Sequence, residues 1–344
     1  MKDFEILSRD TIVAVWKNNE PKVLNNDLLP LYLKRVSNAE SWIETRAIDS
    51  HRANSRLLKK ALRLAEKDDI STVLHVHAAT ITDTYWVRDI GSNLRYEDIR
   101  FNKDYFSNLA LKGLYSSFNS AAKHKDTKTP ELTNTGSFEK CWKLRDGKWW
   151  IYKSANQKEQ FSELFVYELG KKLKMNMALY EKGDKCVKSL DFTDSAKVIF
   201  EPAFSFMGDE EDYIKVIDKL KKLCPEAIPD YIKMIFLDTV TANPDRHTGN
   251  FGLMRDVKSG KLLGLAPNFD NNMALISRGY PTSKAANDFL ITLFNELLKK
   301  YPEYKKYLPK VTENIIKKVI GKLNMKVKSQ VIVDFVINRY RAIK

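Results

Sequence analysis

The chain has 344 residues, 43% hydrophobic and 30% charged, with a formal net charge of +14 at pH 7. That length allows two or three domains with real cores, and the apolar content excludes disorder over most of the chain. No apolar run approaches the ~18 residues a membrane span needs, and Met1-Lys2-Asp3-Phe4-Glu5 lacks a signal peptide's apolar core.

Residues 1–125 are expected to form an N-terminal domain to which no chemistry attaches. Phe4-Glu5-Ile6-Leu7 and Thr11-Ile12-Val13-Ala14-Val15-Trp16 are strand-like, and 53–67 places Leu57, Leu58, Ala61, Leu62 and Leu64 at helical spacing. His75 and His77 lie in the apolar stretch 70–81, but no nearby Cys or carboxylate completes a metal site, so they are expected to be core or surface histidines. The aromatics of Tyr85-Trp86-Val87-Arg88 are expected to pack. Residues 116–135, polar, lysine-rich and interrupted by Pro130, are expected to be a linker or exposed loop.

The character changes over 126–205. A turn containing Gly136 and Ser137 leads into a strand, Arg145-Asp146-Gly147-Lys148 makes a hairpin turn, and Trp149-Trp150-Ile151-Tyr152-Lys153 returns. By itself this is an ordinary hairpin with a solvent-facing lysine. A helix follows from Phe161 to about Lys174, carrying Glu163 and Glu168; 187–190 and 196–201 are two further strands, the second stopped by Pro202. From 206 onward the pattern is mostly helical, over 213–223, 228–240, 285–300, 311–323 and 327–341.

Within this helical region lies Asn243-Pro244-Asp245-Arg246-His247-Thr248-Gly249-Asn250, and Asp270 follows it. Asn-Pro breaks the preceding helix, which puts Asp245 on a loop. The apolar runs 251–254 and 262–266 around Lys258-Ser259-Gly260 read as a hairpin that folds Asn250 and Asp270 to one end. An Asp, an Asn five residues on and a second Asp suit metal-assisted phosphoryl transfer. One carboxylate takes or orients the hydroxyl proton, while the amide and the other carboxylate hold Mg²⁺ on nucleotide phosphates.

Asp245-Arg246-His247-x-x-Asn250 with Leu265-Ala266-Pro267-Asn268-Phe269-Asp270 resembles the catalytic and metal-binding loops of HipA-like serine/threonine kinases, which are related in fold to phosphatidylinositol kinases. The resemblance covers roughly residues 130–300. It implies an α+β, two-lobed kinase-like fold: a mixed lobe over 126–205, a helical lobe over 206–344 and an α/β N-terminal extension. It also implies ATP and Mg²⁺ as cofactors, with Asp245 catalytic, Arg246 and His247 steadying the loop or the transferred phosphoryl group, and Asn250 and Asp270 on the metal. Gly136, Ser137 and Lys153 then face the phosphates; Glu163, favoured over Glu168, partners Lys153; and Phe200, Glu201 and Ala203 form the hinge that meets the adenine. Ser137 becomes a candidate for autophosphorylation. Implied partners are a protein substrate and a DNA-binding antitoxin, since such proteins often act as toxins.

The sequence departs from ordinary protein kinases in lacking His-Arg-Asp, Asp-Phe-Gly and a Gly-x-Gly-x-x-Gly loop. Two other readings stand beside this one: a small-molecule or lipid kinase, and a catalytically silent kinase fold that binds nucleic acid or a partner. Thirteen Lys/Arg from residue 291 onward face only Glu296, Glu303, Glu313 and Asp334. With no Arg–aromatic stripe, a solvated helical surface is favoured over direct nucleic-acid binding. Cys141, Cys186 and Cys224, odd in number and without metal-ligand spacing, fit buried free thiols in a cytoplasmic protein.

Overall fold

The computed structural model describes residues 3–18, 20–65, 67–281 and 288–344. Its strands are β1 (Phe4–Ser8), β2 (Thr11–Lys17), β3 (Glu20–Val23), β4 (Tyr85–Asp89), β5 (Lys140–Arg145), β6 (Lys148–Ser154), β7 (Tyr180–Lys182), β8 (Cys186–Leu190), β9 (Val198–Pro202), β10 (Gly252–Asp256) and β11 (Leu262–Leu265). The chain divides into two compact units. One comprises Met1–Ser154, Lys188–Glu201 and Arg255–Lys261; the other comprises Ala155–Val187, Pro202–Met254 and Leu262–Lys344.

The first unit is built on an antiparallel sheet of order β3-β2-β1-β4. Strand β1 is buried at every position because both faces of the sheet are covered. Ile6, Val13, Tyr85 and Val87 join one apolar cluster, while their neighbours Leu7 and Trp86 join another. The second cluster takes in Leu132, Trp142 and Trp149. Strands β5 and β6 pair antiparallel, with Lys140 opposite Lys153 and Arg145 opposite Lys148. Their turn, Asp146-Gly147, has φ of +50° and +74°, the left-handed geometry that a two-residue hairpin demands.

Two expectations for this unit are corrected. The predicted helix 53–67 runs only over Ser55–Ala61, because Arg63 turns left-handed (φ 58°) and the Leu64 amide reaches back to the Lys59 carbonyl. That end buries Leu62 and Leu64 without more helix; residue 66 of the prediction lies outside the described residues. Nor are residues 116–135 a linker. Tyr115–Ala122 is helical, Pro130–Thr133 is a 3₁₀ turn, and the whole of that turn is buried because Leu132 plugs the core. His75 caps the helix Asp69–Leu74 and the following His77 is left-handed, so neither lies on a strand.

The second unit is mostly helical: Gln157–Lys172, Tyr213–Leu223, Ile228–Thr241, Phe289–Lys300, Glu313–Leu323 and Ser329–Arg341. Asn156 starts the first of these by accepting from the Lys158 and Glu159 amides, while Glu159 caps the Asn156 amide in return. Ile228–Thr241 is its buried axis, and Phe236 packs against Phe294 at 6.2 Å and Tyr340 at 6.1 Å. That helix stops where Ala242 turns left-handed (φ 51°), and β10 and β11 form the predicted hairpin after it. Residues 285–287 of the helix expected over 285–300 lie outside the described residues. All three cysteines are buried and outside any disulfide, and no helix among the described residues is long and apolar enough to cross a membrane.

Candidate active site

The loop after Ile228–Thr241 is organised by one guanidinium. Arg246 is buried, and its Nε and Nη2 grip both oxygens of Asp238 at 2.8 and 2.9 Å. Its Nη1 donates to the carbonyls of Asn250 (2.8 Å) and Phe269 (2.6 Å), and Nη2 also reaches Oδ1 of Asn268 (3.0 Å) and of Asn271 (2.7 Å). Burial works against the charge, but the Asp238 carboxylate outweighs it and holds the guanidinium pKa above its ordinary value. A single nitrogen thus touches the backbone beside both Asn250 and Asp270, which brings the two predicted metal ligands into one neighbourhood.

Asp245 lies half-buried on this loop, as predicted. Its amide donates to Asn243 Oδ1 (3.3 Å), and Asn243 is itself tied to Asp238 Oδ1 (2.9 Å). Its carbonyl accepts from Asn250 Nδ2 (2.8 Å), so the amide of Asn250 is oriented with its oxygen, the atom a cation takes, on the other side. Asp270 is left-handed (φ 59°), a conformation uncommon outside glycine, Asn and Asp, and its amide donates to the Tyr180 hydroxyl at 3.0 Å. His247 is exposed and its Nδ1 accepts from the Gly249 amide at 3.0 Å, closing the turn that leads to Asn250. All six Arg246 contacts run to side chains and carbonyls of its own unit.

Glu163 is fully buried on the helix Gln157–Lys172, and its Oε1 accepts from both the amide (2.8 Å) and the side chain (3.2 Å) of Asn271. Its rival Glu168 pairs instead with Lys322 at 2.6 Å. Asn271 therefore joins the Glu163 helix to Arg246 and the metal-type loop. Sequence reasoning missed Asn271, Asp238, Asn243 and Tyr180. Asp238 left a signal, as the sole acid in the apolar run Tyr231-Ile232-Lys233-Met234-Ile235-Phe236-Leu237-Asp238-Thr239-Val240, a place where charge is rarely buried without a partner.

In the first unit, Gly136 has φ +92°, the left-handed geometry that favours glycine; an added Cβ would meet only the mobile end of the Lys140 side chain. Ser137 follows it on the same irregular segment. Lys153 sits opposite Lys140 across the ladder, and its ammonium lies 4.7 Å from the Phe138 ring centroid. The side chain of Glu201 is committed to a buried network: Arg255 Nη1 at 2.7 Å, the Tyr85 hydroxyl at 3.1 Å and the Leu31 amide at 3.3 Å. Burial raises its pKa against the pull of Arg255. The Phe200 amide already donates to the Thr82 carbonyl (2.9 Å). In the second unit, the Ala203 amide donates to the Phe251 carbonyl (2.8 Å). Two of the three expected hinge amides are therefore occupied by the protein.

Among the described residues, no three His, Cys, Asp or Glu side chains converge on a metal-sized site. An all-protein cage is not what Mg²⁺ on a nucleotide requires. One or two oxygen ligands with phosphate and water suffice, and Asn250 Oδ1 and the Asp270 carboxylate are of that hard, oxygen-donor kind.

Comparison of the fold identifies the architecture. HipA of the toxin–antitoxin system of Shewanella oneidensis MR-1, solved with HipB and operator DNA, superposes with a TM-score of 0.54, covering 98% of this chain and 97% of that one at 14% identity. The fold is HipA-like. The Helicobacter pylori proinflammatory kinase CtkA aligns over 59% of this chain and 90% of its own, at 17% identity and a TM-score of 0.45. No family model and no curated protein matches the sequence. The α+β, HipA-like fold expected from the sequence is the one the chain adopts.

Proposed function

We propose that this chain is an ATP- and Mg²⁺-dependent serine/threonine protein kinase of the HipA type. The observation that carries the reading is the Arg246 network, which fixes the carbonyls beside Asn250 and Asp270 and, through Asn250 Nδ2, the carbonyl of Asp245. A buried, fully hydrogen-bonded guanidinium with a bidentate carboxylate partner is a costly way to hold a surface loop. It ties down the backbone that carries Asp245, Asn250 and Asp270, and a held backbone of this kind is what the positioning demanded by phosphoryl transfer calls for.

In this reading Asp245 orients the acceptor hydroxyl and receives its proton. Asn250 and Asp270 hold Mg²⁺, which when bound neutralises charge on the phosphates. Lys153 and the Gly136-Ser137 turn serve the triphosphate, Glu163 is the partner of Lys153, and the adenine is met along Phe200, Glu201 and Ala203. Arg246 and His247 position the loop, and Ser137 is offered as an autophosphorylation site. The division into an N-terminal domain (1–125), a nucleotide lobe (126–205) and a helical lobe (206–344) belongs to the same proposal. So does a toxin's role with a DNA-binding partner, supported by the HipA–HipB–operator complex of the similar fold.

The test is phosphate transfer from labelled ATP, with protein, inositol lipid and small alcohols offered side by side as acceptors. Asp245→Ala and Asp270→Ala are expected to abolish transfer to protein while leaving the protein folded, Asp270→Ala at a cost of about 1–2 kcal/mol for its left-handed backbone. Activity surviving both changes removes the assignment. Transfer to a lipid or alcohol alone replaces the acceptor.

A further inference from the structure

The segment between the 3₁₀ turn Pro130–Thr133 and strand β5 holds Gly136 and Ser137, and its ends are held by a residue far away in sequence. Arg52 Nη1 donates to the Asn134 carbonyl at 2.8 Å, and Nη2 donates to the Lys140 carbonyl. One planar fork therefore spans the mouth of the 134–140 loop. Two residues on, the Asn54 amide donates to Glu139 Oε1 at 3.2 Å, while the Asn54 side chain is anchored on the Ala110 carbonyl at 3.1 Å. Asn134 is clamped again by Glu131, whose other oxygen takes the Trp142 amide at 2.8 Å.

Arg52 is 2% exposed and Glu131 1% exposed. Burial lowers the Arg52 pKa, and the carboxylates of Glu131 and Glu139 oppose that effect. Buried ions of this kind add little stability over apolar residues of similar size. What a guanidinium adds is a rigid two-pronged geometry that an ammonium cannot copy. The loop it closes has no ladder of its own, and its glycine turn is left-handed.

We infer that Arg52 is a positioning residue that staples the 134–140 loop. Through it, the N-terminal part of the chain sets where Gly136 and Ser137 present their backbone to a nucleotide phosphate. The phosphate half of this statement rests on the proposed kinase reading; the staple does not. The first 125 residues, to which the sequence attaches no chemistry, thereby hold the frame of this loop.

The experiment is amide hydrogen exchange on the full chain for Arg52→Met and Arg52→Lys, with Arg46→Met as control, followed by KM for ATP and kcat on the same proteins. Arg46 is a second buried arginine of this unit, held by the Ala78 and Tyr85 carbonyls and Asp83, and it touches no residue of the loop. Both Arg52 variants are expected to speed exchange of the Asn134, Trp142 and Ser154 amides, which are bonded to Glu131 and Glu139 at the ends of the loop, by about ten-fold or more, as when a local opening loses two charge-assisted hydrogen bonds. Exchange in β1, β2 and β4 should stay unchanged. Arg46→Met is expected to show no such selectivity. KM for ATP should rise several-fold with kcat nearly constant. Loop exchange that is unchanged, that rises equally throughout the unit, or that Lys fully restores overturns the staple. If Arg52→Met does not fold, Arg52→Lys, which keeps the charge, decides. Selective loosening of the loop with no effect on KM for ATP retains the staple and rejects the phosphate role.

Discussion

Arg246→Lys is the change that most sharply tests how the loop is built. The guanidinium makes six hydrogen bonds, to both oxygens of Asp238, the carbonyls of Asn250 and Phe269, and the side chains of Asn268 and Asn271. A lysine ammonium keeps the charge but has three donors and no fork, so at least three acceptors lose their partner in a buried site. At ~1 kcal/mol net for each, the loss is about 3 kcal/mol, near the low end of the ~3–5 kcal/mol for breaking a buried pair outright. A domain with ~5–15 kcal/mol of stability survives that, so the variant should fold. The carbonyls of Asn250 and Phe269 would no longer share a donor, and a shift on the order of 1 Å at reacting groups costs about 10²-fold in rate. Urea unfolding reads the first effect and single-turnover transfer from labelled ATP the second. Asp238→Asn combined with Arg246→Lys should cost much less than the sum of the two single changes, because both remove one interaction. A variant within about 1 kcal/mol of the parent, with transfer undiminished, refutes the idea that this arginine holds the loop.

Two further predictions concern buried carboxylates in the first unit. Desolvation raises the Glu131 carboxyl from 4.5 to about 7, against the pull of Arg52. The folded protein keeps a proton there that the unfolded chain has already released, so this group's contribution to stability falls as pH rises from about 4.5 to about 7 and is level outside that window. The gap corresponds to about 3 kcal/mol at most. Urea unfolding of Glu131→Gln should therefore gain on the parent as pH rises from about 4.5 to about 7, and a constant difference would count against it. Arg255 is buried with Glu201 and also donates to the Tyr85 hydroxyl (2.8 Å) and the Leu29 carbonyl (2.9 Å). Arg255→Met alone strands a buried carboxylate and should cost about 3–5 kcal/mol, whereas Arg255→Met with Glu201→Leu should recover most of it. Thermal denaturation checks this, and a double variant no better than the single one would sink it.

Much of the architecture was legible in the chain because it rests on local rules. The Asp146-Gly147 turn dictates its hairpin, Asn-Pro ends the helix Ile228–Thr241 ahead of Asp245, and periodicity outlines Tyr213–Leu223. Local rules also misjudged 116–135, where polar composition masked one plug, Leu132, that draws the segment into the core. The helix expected over 53–67 was overlong because apolar spacing does not register a left-handed residue such as Arg63.

By itself the sequence determined which residues are the candidates for the proposed chemistry, since an Asp, Asn and Asp in that order and spacing are side-chain facts. It also determined the strands and helices that carry them, through backbone preferences acting over a few residues. Only the tertiary structure decided what holds them in place. Arg246 meets Asp238, Asn271 meets Glu163 and Arg52 meets the 134–140 loop across separations of eight to 108 residues. The physical reason is that a buried charge must find its partners wherever the fold brings them, and such pairings leave no period or motif along the chain.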